Sequence, residues 1–110
     1  MRLDMRVIKD TLMVKIDGDV DMLVAEQLRQ EIDRVIRVKN IKNLILDMEG
    51  VTFMDSAGLG VVLGRYKKIA ATGGNMYIVR AKPVVKNILE LSGVNKLVTV
   101  CATEKEIINL

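Results

Sequence analysis

Histidine is absent from this sequence of 110 residues, and cysteine occurs once, at Cys101. Without histidine, neither a Ser/His/Asp nor a Cys/His catalytic centre can form, and histidine-based metal sites are excluded. A single cysteine allows no internal disulfide and no cysteine cluster. Cys101 ends an apolar segment, where a buried and unreactive thiol is expected. We therefore predict no catalytic residue, no metal site and no cofactor.

Aromatic residues and long hydrophobic runs are also scarce. Phe53, Tyr66 and Tyr77 are the only aromatics, so the core must be built from aliphatic side chains and the seven methionines. No apolar run approaches the roughly 20 residues that cross a bilayer, and the N-terminus lacks the apolar region of a signal peptide. With half of its residues apolar, the chain suits one compact domain, residues 1–110. We expect a cytoplasmic protein without membrane contact.

The charge pattern argues against nucleic acid as a partner. The net charge is +3, with basic residues mixed among acidic ones. The two densest basic groups, within residues 34–42 and 65–68, are short and contain no row of aromatic side chains. Single-strand binders combine a basic groove with stacking aromatics. Solvated helix faces explain both groups more simply.

Hydrophobic periodicity indicates where the strands and helices lie. Residues 3–9 and 11–17 read as two strands with a tight connection, which predicts an antiparallel hairpin. Residues 18–21, Gly-Asp-Val-Asp, are then expected to turn the chain. Asp19 or Asp21 is expected to cap the helix that follows.

The remaining pattern alternates between strands and helices. It predicts a helix ending at Asn40, a strand over 44–48, a helix from the Ser56 turn to Gly73, a strand over 76–79, a helix from Pro83 to Gly93, a strand over 98–101 and a short helix after Thr103. Strands joined through helices are parallel. The predicted fold is a single α/β domain: a small mixed β-sheet with an N-terminal antiparallel hairpin and helices packed mainly on one face.

The most informative segment is residues 53–60, Phe-Met-Asp-Ser-Ala-Gly-Leu-Gly. It places Asp55 and Ser56 at a strand-to-helix turn, where free backbone N–H groups and the helix dipole favour negative charge. A serine at such a position is most often only a helix cap. Three functional alternatives compete with that interpretation.

A hydrolase nucleophile turn needs Gly-x-Ser-x-Gly and a histidine, but Met54 replaces the first glycine and no histidine exists. A dinucleotide-binding loop needs an acidic residue at the end of the next strand, which instead ends with Val79 and Arg80. The chain is also short for two mononucleotide-binding halves. The first alternative is therefore excluded, and the second is disfavoured.

The third alternative is a regulatory phosphorylation site. Ser56, Gly60 and Gly64 are spaced by four residues, so they lie along one helix face with almost no side-chain bulk. The glycines could instead let the helix press against its own sheet. However, the apolar side chains of the helix should face the core: Leu59, Val62, Leu63, Tyr66 and Ile69. An exposed glycine face, which another protein can approach closely, is therefore the preferred interpretation.

Several segments of the sequence resemble a known family. Residues 53–67 closely resemble the signature of the STAS-domain anti-sigma factor antagonists, or anti-anti-sigma factors. Residues 18–21, 73–74 and 83–93 fit the same pattern in order. The resemblance covers essentially the whole chain, and it is greatest to the sporulation members that act on anti-sigma-F.

The resemblance implies a partner switch rather than an enzyme. In this family the unphosphorylated antagonist binds an anti-sigma factor that is also a serine kinase with its own ATP or ADP, and the sigma factor is released. The kinase then phosphorylates the motif serine, here Ser56, and a serine phosphatase removes the phosphate. A free monomer is expected. The implied partner-binding residues are Asp19, Asp21, Asp55, Ser56, Gly58, Gly60, Gly64 and Arg65, with Asp55 also shaping the serine turn.

Two positions depart from the family pattern. Many members carry a second serine where this chain has Ala57, which leaves the acceptor serine in place. Asp19 stands where a longer glutamate is common, which affects the fine pairing with a partner. Two alternatives stay open: a STAS module of a general-stress partner switch, and a module that senses a small ligand or nucleotide.

Overall fold

The computed structural model describes residues 1–107 and shows a five-stranded mixed sheet. Its elements are β1 (Arg2–Ile8), β2 (Thr11–Val20), α1 (Ala25–Val38), β3 (Asn43–Met54), α2 (Ser56–Ala71), β4 (Met76–Val79), α3 (Pro83–Ser92) and β5 (Thr99–Cys101), with short 3-10 turns at Val94–Lys96 and Glu104–Glu106. The strands lie in the order β1-β2-β3-β4-β5. The first pair is antiparallel and the others are parallel, as predicted.

The main core lies between one face of the sheet and the helices. Fully buried side chains from both layers meet there: Leu12, Leu44, Leu46, Met48 and Ile78 from strands, and Leu28, Ile32, Ile69 and Leu89 from helices. The other face carries a smaller cluster of Ile45, Val79 and Cys101. Burial raises the pKa of the Cys101 thiol, in agreement with the unreactive cysteine that the sequence predicts. The predicted one-sided arrangement of the helices is confirmed.

Strands β2 and β3 are longer than the sequence pattern predicts. β2 continues to Val20 and β3 to Met54, and these two residues are partners in the ladder. The predicted turn at residues 18–21 is therefore wrong. Gly18 instead adopts a φ of 108° beside an irregularity in the β2–β3 register, a conformation that glycine adopts readily. As a consequence, both strands end at the same edge, and the turns that follow them are neighbours.

The start of α1 also differs from the prediction. Val24 is the N-cap and offers no side-chain cap, so the helix begins at Ala25. Asp21 acts one turn earlier: its carbonyl accepts hydrogen bonds from the N–H groups of Val24 and Ala25, and its Oδ1 accepts one from Leu23. Asp19 lies within β2 and caps no helix. Of the two predicted caps, only Asp21 helps to form the turn before the helix.

The predicted final helix is a 3-10 turn as far as the structure describes it. Thr103 makes no side-chain capping bond, and Glu106 accepts a hydrogen bond from the N–H of Ala102. Residues 103–106, Thr-Glu-Lys-Glu, fit the sequence pattern of a capping box, but the structure does not form it. Residues 108–110 lie outside the described residues.

Candidate functional site

The turn between β3 and α2 is capped by Asp55. Its Oδ1 accepts hydrogen bonds from the N–H groups of Ala57 at 2.9 Å and Gly58 at 3.0 Å, in the usual N-cap arrangement. Ser56 is therefore the first helical residue, and its side chain is exposed. Within residues 1–107, the Ser56 hydroxyl takes part in no hydrogen bond. The interpretation of Ser56 as a helix cap is wrong, because Asp55 has that role.

The same carboxylate joins two turns of the chain. Asp55 Oδ2 accepts a hydrogen bond from the N–H of Met22 at 3.1 Å, across 33 residues of sequence. The backbone N–H of Asp55 in turn donates to the carbonyl of Val20 at 3.3 Å. Asp55 thus shapes the serine turn, as expected, and also holds the turn between β2 and α1 beside it.

Two glycines of α2 leave open space beside Ser56. A Cβ atom added to Gly60 or to Gly64 would meet no other atom within 4 Å. Gly60 is exposed and Gly64 is half-buried. The bare helix face that the four-residue spacing predicts is therefore present, and a partner can approach the helix backbone closely there.

Gly58 has a different role from these two glycines. A Cβ atom on Gly58 would lie 2.3 Å from the carbonyl oxygen of Val20 and 2.8 Å from Cγ of Met54. Gly58 is buried, and its missing side chain lets α2 approach the ends of β2 and β3. Its predicted place on a partner-binding surface is corrected to internal packing.

Arg65, another predicted partner-binding residue, is only 4% exposed. Its Nε lies 2.9 Å from Oδ1 of Asp33 in α1, in an ion pair whose geometry is not that of a hydrogen bond. Arg29 and Lys68 lie 3.4 Å and 3.9 Å from Oδ2 of the same carboxylate. Burial lowers the pKa of the Arg65 guanidinium, and Asp33 opposes that shift. In this structure Arg65 joins α1 to α2 from the inside.

The inward face of α2 is rotated relative to the predicted one. Val61 and Arg65 are buried, whereas Leu63 is only half-buried. Val62 and Ile69 are buried as expected, and Leu59 and Tyr66 pack against the core. Hydrophobicity alone predicts that a basic residue such as Arg65 lies at the surface. Arg65 can be buried because Asp33 compensates its charge.

The remaining predicted residues lie at the same edge of the sheet. Asp19 is exposed at the end of β2, where its Oδ1 accepts a hydrogen bond from Oγ1 of Thr52 at 2.6 Å. Asp21 is half-buried in the turn that Asp55 holds. The structure therefore brings Asp19, Asp21, Asp55 and Ser56 to one edge, together with the open glycine face.

Sequence reasoning did not identify two apolar residues at this edge. Met22 and Leu23 are 76% and 86% exposed. Their position in the chain, directly before a helix, suggested nothing more than a turn. The only signal in the sequence is a pair of large apolar side chains following Asp21, without a helical or strand period to bury them.

The chemistry available to this edge is limited. Both oxygens of Asp55 accept backbone N–H groups, and no side chain within residues 1–107 makes a hydrogen bond to the Ser56 hydroxyl. Residues 1–107 contain no group of three or more acidic, histidine or cysteine side chains that could hold a metal ion. In the same part of the chain, every helix is too short or too polar to cross a bilayer. The site can present an accessible hydroxyl to another protein.

Comparison with known proteins agrees with this arrangement. The family model described as the STAS domain matches residues 2–107. An anti-sigma F factor antagonist from Paenibacillus polymyxa is 32% identical over 94% of this chain and 89% of its own length.

Two solved structures of SpoIIAA share this fold. Its unphosphorylated form, named as an anti-sigma factor antagonist, has a TM-score of 0.84 and 29% identity over 98% of this chain and 94% of that one. The phosphorylated form, described as a Bacillus cell fate determinant, has a TM-score of 0.76 and 28% identity over 98% and 97%. These relatives are regulatory proteins rather than enzymes. The chain belongs to the STAS domain family.

Proposed function

We propose that this chain is an anti-sigma factor antagonist controlled by phosphorylation of Ser56. The unphosphorylated form binds an anti-sigma factor that is also a serine kinase and thereby releases a sigma factor. Phosphorylation ends this binding, and a serine phosphatase restores it. One observation carries the proposal: Ser56 begins α2 with an exposed hydroxyl because Asp55 provides the cap.

The position of Ser56 suits a switch that leaves the fold intact. A phosphate adds about −1.5 to −2 charges at neutral pH. The helix N-terminus favours that charge by roughly 0.3–1 kcal/mol, whereas the neighbouring Asp55 opposes it. Because the hydroxyl is exposed and contributes no bond to the cap, its modification should change the charge and bulk of the surface without disturbing the core.

The exposure of residues at this edge supports an assignment of the surface that receives the partner. We assign Ser56, Gly60 and Gly64 to its centre, since another backbone can approach there without meeting side chains. Asp19, Asp21 and Asp55 border it at the sheet edge. Gly58 and Arg65 act from the inside by positioning α2 rather than by touching the partner.

The relatives support the identity of the partner. The Paenibacillus relative is named for anti-sigma F, and SpoIIAA has been solved in both phosphorylation states. We therefore propose the sporulation sigma factor sigma-F as the one that is released, in preference to a general-stress sigma factor. ATP or ADP would be bound by the partner. The chain itself would act as a cytoplasmic monomer with residues 1–110 as one STAS domain and without a cofactor.

The decisive experiment is phosphorylation by the anti-sigma factor kinase of the same organism. With ATP and magnesium, mass spectrometry should find one phosphate, on Ser56, and none on the Ser56→Ala variant. Ser56→Asp should bind the kinase at least about tenfold more weakly while its circular dichroism spectrum stays unchanged. Phosphate on another residue, or full binding by Ser56→Asp, would contradict the proposal.

A further inference from the structure

Met22 and Leu23 form an apolar pair that the fold itself does not use. They lie in the turn between β2 and α1, and 76% and 86% of their surface is exposed. Single exposed apolar residues are common on protein surfaces and require no explanation. The case for a function therefore depends on where this pair is held.

The backbone of the pair is fixed beside the serine turn. The N–H of Met22 donates to Oδ2 of Asp55. The other oxygen of that carboxylate, Oδ1, caps α2 by accepting a hydrogen bond from the N–H of Ala57, the residue after Ser56. The N–H of Leu23 donates to Oδ1 of Asp21 at 3.0 Å. Because these hydrogen bonds hold the backbone of the pair, little backbone entropy is left to lose on binding. It lies next to the surface proposed for the partner.

The ionisable side chains of the two turns at this edge are acidic. The chain carries a net charge of +3, yet neither residues 16–28 nor residues 43–64 contain a lysine or arginine. These two segments include both turns at this edge and the first half of α2. Their acidic residues include Asp19, Asp21 and Asp55. The apolar pair is therefore bordered by acidic side chains, which a partner complements with lysine or arginine side chains. The basic residue Arg2 of β1 lies at the same edge, 3.8 Å from Asp17 of β2.

We propose that Met22 and Leu23 are the apolar anchor of the docking surface, and that they insert into an apolar recess of the anti-sigma factor bordered by basic side chains. This inference rests on the proposed function, because it takes the partner from it. A few side chains that enter desolvated pockets of the partner carry much of the binding energy of an interface. A phosphate on Ser56 adds charge and bulk directly beside this anchor.

The test is a binding measurement with matched variants. The Met22→Ser, Leu23→Ser double variant and the Leu91→Ser control are titrated with the purified anti-sigma factor and ADP, which allows binding without phosphorylation. Leu91 is 82% exposed and lies at the C-terminal end of α3, which leads back toward the edge where the strands begin. The double variant should bind about 10- to 100-fold more weakly. Leu91→Ser should remain within about twofold of the unmodified chain.

Folding should not complicate the comparison, because the exposed side chains pack little and the backbone bonds of the turn are retained. Thermal denaturation checks this for each variant. Leu23→Arg and Leu23→Glu provide a second pair, in which arginine should weaken binding more than glutamate because the proposed recess is bordered by basic groups. An equal loss in these two variants would overturn the charge assignment.

The remaining outcomes separate the two proposals. If the unmodified chain binds the anti-sigma factor and Ser56→Asp weakens binding, the proposed function stands. Unchanged binding by the double variant would then overturn the anchor alone, as would an equal loss in Leu91→Ser. Self-association of the chain that disappears in the double variant would assign the pair to a second copy and also overturn the anchor. Failure of the unmodified chain to bind would overturn both proposals.

Discussion

Helix α2 carries glycine on both of its sides, and the two sides differ in what a methyl group would meet there. On the inward side, a Cβ atom at Gly58 would lie 2.3 Å from the carbonyl oxygen of Val20. On the outward side, Gly60 and Gly64 have no atom within 4 Å of such a position. Glycine within a helix costs about 0.5–1 kcal/mol relative to alanine. Packing explains that cost at Gly58, whereas the proposed docking surface would explain it at the other two.

The rest of α2 continues the contrast. Its inward side includes Arg65, whose charge is compensated by Asp33 of the neighbouring helix. Its outward side begins with the exposed Ser56. Gly58 and Arg65, which the family resemblance assigned to partner binding, therefore contribute to the fold. A variant at either residue is expected to change the stability of the domain, so its stability has to be measured before its binding.

The largest effect should come from breaking the buried ion pair. Arg65→Ala leaves the carboxylate of Asp33 without its nearest cation, and the loss of one member of such a pair costs about 3–5 kcal/mol. Arg29 and Lys68, both within 4 Å of Asp33 Oδ2, should keep the cost near the lower value. Urea denaturation measures the change in the free energy of unfolding.

A double variant provides the control for this experiment. Asp33→Leu combined with Arg65→Met replaces both charges by apolar groups and should recover most of the lost stability. If Arg65→Ala unfolds at the same urea concentration as the unmodified chain, Arg65 does not hold the inward side of α2. The inward and outward sides of the helix would then not differ in their contribution to stability at this position.

The next effect is expected at Gly58. Gly58→Ala introduces a methyl group into the backbone of β2, and overpacking of this kind costs about 1–3 kcal/mol. The midpoint of thermal unfolding should fall accordingly, and α2 should shift from the ends of β2 and β3. Gly60→Ala is the matched control because it makes the same change two residues away in the same helix. Equal stability of the two variants would remove the difference between the two glycine environments.

The smallest effect on stability, and one of opposite sign, is expected on the outward side. Gly60→Ala and Gly64→Ala should each raise the free energy of unfolding by about 0.5–1 kcal/mol, since alanine favours the helix and has space. Their binding to the anti-sigma factor should nevertheless weaken. Stability from denaturation and affinity from titration should therefore change in opposite directions. If these variants bind as tightly as the unmodified chain, the glycine face is not part of the docking surface.

Local signals in the sequence account for much of the fold. Alternating residues predicted the hairpin of β1 and β2, and Pro83 and Gly93 marked the ends of α3 because each residue has a fixed conformational role. Gly93 indeed adopts a φ of 81° after the helix. The extension of β2 beyond Asp17, through Asp19 to Val20, was missed, because polar residues in a strand are stabilised by backbone pairing with β3 and not by burial.

At the serine turn, too, some features could be predicted from the sequence and others could not. The spacing of Ser56, Gly60 and Gly64 sufficed to predict one bare helix face, since a helix of 3.6 residues per turn places such residues together. The residues alone did not reveal that Asp55 would be the cap, and the family resemblance assigned Gly58 and Arg65 to the partner surface. Both of those residues are buried.

The sequence by itself thus determined the order of the elements, the absence of histidine chemistry and the position of a serine at the start of a helix. Only the tertiary structure decided that Arg65 pairs with Asp33 and that Met22 is held beside Asp55. The physical reason is distance along the chain. Residues more than 30 positions apart leave no periodic or capping signal, so their contacts appear only when the sheet brings the ends of its strands together.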